Sequence, residues 1–157
     1  MGRHKRVEVI LWSIALPGFG QILNGHVVKG LLLIVLEFMV NLKSNLNLVI
    51  IASFKGEIQN AINLTDYHWL MFYPCIYMFG IWDAYREVSS ELNPYSYLPF
   101  VTSAFVATVG LIYSSWRICG ILWGPVWLPM LFCFIGLGIG FILKKWFLSL
   151  MKDPVEN

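Results

Sequence analysis

Long apolar runs, separated by short polar stretches, constrain the fold of this chain more than any other feature. Five such runs are present, at residues 7–23, 30–54, 68–82, 98–116 and 120–150. Of the 157 residues, 58% are hydrophobic and 13% are charged, whereas an ordinary soluble domain carries ~25% charged residues. So few charges cannot cover a soluble surface, and the runs are too long for the short alternating strands of a membrane barrel. We therefore expect an all-α, polytopic transmembrane helix bundle, in which residues 1–157 form a single membrane domain.

The length of each run indicates where the chain crosses the bilayer. A helix needs about 20 residues to cross the ~30 Å hydrocarbon core, and the runs 98–116 and 120–150 meet this requirement. The run 68–82 is shorter, but aromatic residues at both of its ends are typical of the two membrane interfaces. We expect it to cross as a helix bent at Pro74.

The run 30–54 becomes polar in its second half, so the expected crossing is 26–42. In the following residues, 45–63, apolar side chains recur at every fourth position. These are Leu46, Ile50, Phe54, Ile58 and Ile62. This spacing places them on one face of a helix and predicts an amphipathic helix that lies at the membrane interface.

The first run is interrupted by Pro17-Gly-Phe-Gly20, and proline with two glycines is poor material for a continuous helix. We expect this segment to enter the membrane and turn back. Its apolar start is too short for the core of a signal peptide, so no cleavage is expected.

The distribution of basic residues supports this topology, because cytoplasmic flanks collect Lys and Arg. If the first run does not cross, eight basic residues lie on the cytoplasmic side, namely Arg3, Lys5, Arg6, Lys29, Arg86, Lys144, Lys145 and Lys152. Three lie outside, namely Lys43, Lys55 and Arg117. Five crossings would divide the same residues almost evenly. We therefore expect a multi-pass protein of the cell membrane with four crossings, five being the alternative, and with both termini cytoplasmic.

The most distinctive motif is a glycine-rich stretch with amide and basic side chains between the glycines. Its candidate functional residues are Pro17, Gly18, Gly20, Gln21, Asn24, Gly25, Lys29 and Gly30. One interpretation is a helical hairpin whose polar residues lie at an interface, since glycine permits close approach and left-handed backbone. The other is a re-entrant loop that lines a polar cavity, with Gln21, Asn24 and Lys29 facing a ligand or a partner.

A second motif, Gly80-Ile-Trp-Asp-Ala-Tyr-Arg86, follows at the end of a later apolar run. Together, the PGFGQILNG, KG and WDAYR elements resemble the two-helix TM-two domain family and a set of small bacterial membrane proteins. The resemblance covers residues 10–87 and leaves 98–150 as an additional transmembrane helical hairpin. It implies a membrane protein of no settled chemistry, and it carries no catalytic residues over to this chain.

Two carboxylates, Glu37 and Asp83, lie in or beside apolar helices, where an ionisable group costs ~2.5 to 3.5 kcal/mol on insertion scales. Glu37 is either a structural hydrogen-bonding residue, with Asn41 one turn away, or a proton- or ion-linked carboxylate. Asp83 follows Trp82 and precedes Arg86 by three residues, which predicts an ion pair that anchors the helix end. The alternative is that Trp82, Asp83 and Arg86 contact lipid headgroups or the glycine-rich stretch.

The last two runs carry small residues at helical spacing, and such residues let helices pack closely in lipid. They are Ser103, Ala107, Gly110, Ser114, Gly136 and Gly140. Packing within the chain is one interpretation, and homodimerisation through Gly136 and Gly140 is the other. We also expect Lys144 and Lys145 to end the last helix.

Most classes of chemistry leave no trace in the sequence. The histidines do not have the spacing of metal ligands. The three cysteines lack a CxxC spacing and are interpreted as small packing residues. A net charge of +2 does not indicate binding to nucleic acid. We expect no enzyme activity, cofactor or metal. The predicted function is that of an accessory, assembly or interaction protein in the bilayer, with a membrane-protein partner or a second copy. The alternative is a small transporter or channel component that uses Glu37.

Overall fold

The computed structural model of the chain describes residues 3–89 and 94–152, so residues 1–2, 90–93 and 153–157 of the expected single domain lie outside the described part. The helices are α1 (Arg3–Ala15), α2 (Phe19–Leu23), α3 (Val27–Ser44), α4 (Leu46–Phe54), α5 (Ile58–Leu64), α6 (Tyr67–Leu70), α7 (Tyr73–Val88), α8 (Leu98–Ile112) and α9 (Gly124–Lys152). The strands are β1 (Arg117–Ile118) and β2 (Ile121–Leu122). The prediction of a helical protein is confirmed.

Helix α9 is the element in the described ranges that is both long and apolar enough to cross a bilayer. Within its 28-residue stretch Gly124–Met151, the most apolar window of 18 residues has a mean hydropathy of 2.3, and 17% of that window is buried within the protein. A core helix of a soluble protein would be mostly buried, so this exposure favours contact with lipid. The expected stop at Lys144 and Lys145 is wrong, because lysine is a good helix former and no helix breaker follows before Lys152.

Helix α8 is shorter than the expected crossing over 98–116. It has 15 residues and ends at Ile112, which gives it a length of about 22 Å. The chain then forms a small antiparallel hairpin, in which Arg117 pairs with Leu122 and Ile118 with Ile121. The turn residues Cys119 and Gly120 have φ angles of 53° and 80°, the two positive φ angles of a type I′ turn. Cys119 is therefore exposed at a turn, and Cys75 of α7 is exposed as well, so their interpretation as packing residues is wrong.

Helices α8 and α9 pack through the predicted small residues. Ser103, Ala107 and Gly110 are buried in α8. Ser114 is also buried, but it follows the end of α8 and its hydroxyl lies 3.1 Å from that of Tyr67. A Cβ added at Gly136 would lie 2.6 Å from Cα of Ser103, and one at Gly140 would overlap Cα of Pro99. Both glycines thus face α8 of the same chain, and the surface that a homodimer would need there is already covered.

The expected single helix over 45–63 is wrong. Helix α3 ends at Ser44, and the next residue, Asn45, has the left-handed conformation. Helices α4 and α5 are separated at Gly56, whose φ of +81° cannot continue a helix. The buried side of α4 also differs from the predicted stripe, since Val49 is fully buried while Phe54 is 68% exposed. Phe54 nevertheless has one tertiary contact, with the ring of Trp127 in α9, at a centroid distance of 4.7 Å.

The bend expected at Pro74 occurs slightly earlier in the chain. Helix α6 ends at Leu70, and α7 begins at Tyr73, so Pro74 lies in the first turn of α7. Proline is well tolerated there because its missing N–H would have no partner within the helix.

The first run is broken where the sequence predicts, between α1 and α2. Helix α1 runs antiparallel to α7, since Val9 clusters with Ala84 and Val88, whereas the Ile14 carbonyl accepts a hydrogen bond from Tyr77. The chain therefore passes from the carboxyl end of α7 to its middle along α1. It reverses near Gly18, whose φ is 109°, and α2 returns towards the end of α7.

Candidate functional site

The two sequence motifs meet in space at the carboxyl-terminal half of α7. Gln21, Asn24 and Lys29 of the glycine-rich stretch contact Asp83 or its neighbours, and Arg86 joins them from the same helix. We call Gln21, Asn24, Lys29, Asp83 and Arg86 the Asp83 cluster. The reversal at Gly18 creates it, because α2 and the first turn of α3 are thereby laid against α7.

Asp83 is the centre of this cluster, and its side chain is only 2% exposed. Lys29 Nζ lies 3.1 Å from both carboxylate oxygens, and Arg86 Nη2 lies 3.2 Å from Oδ1. Gln21 Nε2 donates to Oδ2 at 3.1 Å. The predicted ion pair with Arg86 is present, and so is the contact with the glycine-rich stretch. A negative charge near a helix carboxyl terminus is unfavourable on its own, so two cations and an amide stabilise it here.

Gln21 and Asn24 both bind the backbone of α7, and Gln21 also binds the Asp83 side chain. Gln21 Nε2 donates to the Gly80 carbonyl at 2.8 Å, and Asn24 Nδ2 donates to the Ala84 carbonyl at 3.2 Å. Gln21 is completely buried. The interpretation in which these amides face a ligand is therefore wrong for Gln21, whose donor group is used on α7. The hairpin interpretation describes the geometry.

Close backbone contact explains the glycines of this stretch. A Cβ on Gly20 would lie 2.8 Å from Cβ of Ala84 and would overlap the Ser13 hydroxyl. A Cβ on Gly30 would lie 2.6 Å from the Gly18 carbonyl oxygen. No side chain larger than hydrogen fits at these positions. The glycines therefore allow α2 to lie close to α1, α3 and α7.

Two further motif residues shape the reversal. Pro17 is buried and packs against Gly80, where an added Cβ would lie 3.0 Å from its ring. Gly25 has a φ of +87° and open space around it, so it serves the turn between α2 and α3.

The rim of the Asp83 cluster is more exposed and contains residues that the sequence reasoning missed. Glu87 lies 3.7 Å from Lys29 Nζ, 3.8 Å from Arg86 Nη2 and 3.4 Å from His26 Nε2. The Arg86 guanidinium also lies 4.8 Å from the ring centroid of Trp82, within the range of a cation–π interaction. Glu87 follows Asp83 by one helical turn, and that i+4 spacing was a signal that could have found it.

Glu37 lies outside the Asp83 cluster, in the middle of α3. It is 9% exposed and accepts a hydrogen bond from the Tyr73 hydroxyl at 3.4 Å. Its second oxygen, Oε2, has no partner among the described residues. The expected neighbour Asn41 instead donates to Asn47 at 3.1 Å. Tyr73 was missed because it is remote in sequence, and nothing local links it to Glu37.

The described residues contain no group of three or more His, Cys, Asp or Glu side chains arranged to hold a metal ion. Compared with family models, curated proteins and solved structures, the chain has no match. Its function must therefore be inferred from the contacts of its own side chains.

Proposed function

We propose that this chain is a multi-pass membrane protein that acts as an accessory, assembly or interaction component and catalyses no reaction itself. The observation that carries the proposal is the Asp83 cluster. The polar residues most capable of chemistry bind one another and the backbone of α7, at distances of 2.8 to 3.2 Å. Their contribution is to hold the hairpin of α1 and α2 in place. We propose that the glycine-rich and WDAYR motifs of residues 10–87, the part that resembles the TM-two family, serve to hold this hairpin in place.

The exposed surface supports a lipid environment for more than α9. Large apolar side chains are more than half exposed on several helices, for example Leu32 and Phe38 of α3, Phe105 of α8, and Phe134 and Ile142 of α9. Extended apolar surface of this kind is rare on soluble monomers, whereas lipid tails solvate it well. The charged residues of α3 do not oppose a crossing, because Lys29 is paired with Asp83, Glu37 is turned inward, and Lys43 lies in the last turn of the helix.

The arrangement of helix ends supports four crossings, by α3, α7, α8 and α9. The ring of Tyr85, late in α7, lies 6.1 Å from that of Phe100 in the first turn of α8. Tyr95, just before α8, stacks on Phe147 near the end of α9 at 5.2 Å. The carboxyl ends of α7 and α9 and the amino end of α8 thus lie together. Most of the basic residues are on this side of the protein, and the positive-inside rule makes it the cytoplasmic side. Helices α1 and α2 form a re-entrant hairpin from the same side.

Labelling with a membrane-impermeant maleimide tests this topology in intact cells. In a Cys75→Ser, Cys133→Ser background, we expect Cys119 to react, because its turn lies on the outer side. The matched control removes Cys119 and introduces Lys145→Cys, which should react only after the cells are permeabilised. Reaction of the residue-145 thiol in intact cells, or protection of Cys119 there, would exclude the topology.

Photo-cross-linking tests the interaction function. A photoreactive residue is placed at position 11, where Leu11 is 60% exposed on the re-entrant hairpin, or at position 142, where Ile142 is 69% exposed on α9. An interaction protein should give a discrete protein adduct at one of these sites and only lipid adducts at the other. Lipid adducts alone at both sites would contradict the proposal.

A small transporter or channel component is the second candidate, and the buried Glu37 with its unpartnered oxygen favours it. Replacement by glutamine should abolish proton- or ion-linked flux in vesicles that contain the purified chain. Flux that is unchanged by Glu37→Gln, or absent from the unmodified protein, would remove this candidate.

A further inference from the structure

A cavity of about 280 Å³ lies among α4, α6, α7, α8 and α9. Its wall follows α9 from Pro125 to Cys133, a distance of about 12 Å along the helix axis. On α7 it extends from Tyr73 to Met78. An apolar cavity of about 150 Å³ admits a benzene molecule, so this cavity has room for a larger one. It is separate from the Asp83 cluster.

The polar side chains in the wall of this cavity are already engaged. The hydroxyls of Tyr73 and Tyr77 donate to groups outside the cavity, and Cys133 Sγ lies 3.1 Å from the Ser103 hydroxyl. The other lining side chains in the described ranges are apolar, and they include Leu46, Ile50, Leu70, Ala107, Leu111 and Met130. A buried water needs roughly two to four polar partners, whereas an apolar cavity stays dry. The wall therefore favours an uncharged, apolar occupant over water.

The cavity reaches the apolar outer surface of α9. Met130 lines it and is 43% exposed, and the neighbouring Leu131 and Phe134 are exposed on the same helix. This helix is long and apolar enough to cross a bilayer, so hydrocarbon would surround the mouth of the cavity. An empty space leaves the atoms of its wall without van der Waals partners. Entry of a hydrocarbon group from the surrounding lipid is therefore favourable.

We propose that this cavity binds one acyl chain of a lipid from the outer leaflet. The inference rests on the proposed location of the protein in the bilayer, with the start of α9 on the outer side. From Gly124 to Cys133 the helix rises about 14 Å, which is close to half of the ~30 Å hydrocarbon core. The cavity thus follows α9 through one leaflet, in the direction in which the chains of that leaflet run. A charged or strongly polar group would find no free side-chain partner among the described residues of the wall.

The test uses the full chain in phosphatidylcholine nanodiscs, deuterated except for its methionine and alanine methyl groups, and measures nuclear Overhauser cross-peaks to the lipid chains. Met78 lines the cavity and is buried, so we expect a cross-peak between its methyl group and the chain methylene protons. Met39, exposed on α3, should give one from contact with bulk lipid. Ala84, fully buried outside the cavity, should give none. Lipid with deuterated chains should remove both expected cross-peaks.

Variants that fill the cavity supply the second part of the test. Ala107→Leu should abolish the Met78 cross-peak and leave that of Met39, and Cys133→Leu serves the same purpose if Ala107→Leu fails to fold. The control Gly138→Leu adds a leucine to α9 where nothing lies within 4 Å of the added Cβ, and it should leave both cross-peaks unchanged.

The outcomes separate the acyl-chain site from the membrane location on which it rests. A cross-peak at Met39 with none at Met78 would overturn the acyl-chain site alone. The absence of lipid cross-peaks at both methionines would contradict the membrane location as well. A Met78 cross-peak that persists in the filled variants, or one to water instead of lipid, would also overturn the acyl-chain site.

Discussion

Replacing Asp83 by asparagine should destabilise the protein by removing the charge at the centre of the Asp83 cluster. Asparagine has nearly the same shape, and its Oδ1 can still accept the hydrogen bond from Gln21. The substitution therefore removes the negative charge beside Lys29 and Arg86 and replaces the oxygen that accepts from both of them by an NH2 group. Both cations would then lack the carboxylate that lies within 3.2 Å of each of them.

The size of the effect follows from the exposure of the partners. Removing one member of a buried ion pair costs about 3–5 kcal/mol because a charge remains buried and unpaired. Here the Lys29 side chain is 37% exposed and that of Arg86 is 40% exposed, so both can turn partly towards solvent. We expect the free energy of unfolding to fall by about 2–3 kcal/mol for Asp83→Asn, and by less than about 1 kcal/mol for the control Arg86→Gln.

The assay is reversible unfolding of the full chain in mixed micelles with a rising fraction of denaturing detergent, followed by helical circular dichroism. A double-mutant cycle with Lys29→Gln adds the decisive measurement, because the second substitution should cost little once Asp83 is already neutral. If Asp83→Asn costs no more than Arg86→Gln, or if Asp83→Asn and Lys29→Gln are simply additive, then the ion pair does not hold the hairpin against α7 and the reasoning is wrong.

The remaining predictions concern helix packing and the buried carboxylate. Gly140→Ala should lower the free energy of unfolding by about 1–3 kcal/mol through overpacking against α8. The control is Gly138→Ala, because no neighbouring element lies within 4 Å of the Cβ added there. In the same detergent titration, this control should be neutral or stabilising. Gly20→Ala should cost about 1–3 kcal/mol for the same reason, and a thermal melt equal to that of the unmodified protein would refute the tight fit of α2. Tyr73→Phe removes the hydroxyl that donates to Glu37, so unfolding should become easier by about 1–3 kcal/mol, and an unchanged unfolding midpoint would show that this hydrogen bond contributes nothing.

Local rules predicted the features that depend on neighbouring residues. The break between Pro17 and Gly20 follows from the backbone preferences of proline and glycine, and the pairing of Asp83 with Arg86 follows from three-residue spacing on a helix. The same rules failed where a distant contact decides. Phe54 belongs to the apolar stripe over 45–63, yet its ring packs on Trp127 of α9, 73 positions away. The division of that stripe at Gly56 is different, since the positive φ of a glycine is a local feature that the sequence reading missed.

The apolar runs determine, by themselves, that the chain is helical and that α9 can cross a bilayer. Only the tertiary structure decided what the polar residues do. Gln21 and Asp83 are 62 positions apart, and Glu37 and Tyr73 are 36 apart; no periodicity relates residues at such separations. Their contacts exist because the chain reverses at Gly18 and packs α2, α3 and α7 together. That packing turned a conspicuous motif into the support of a hairpin and left Glu37 buried beside Tyr73.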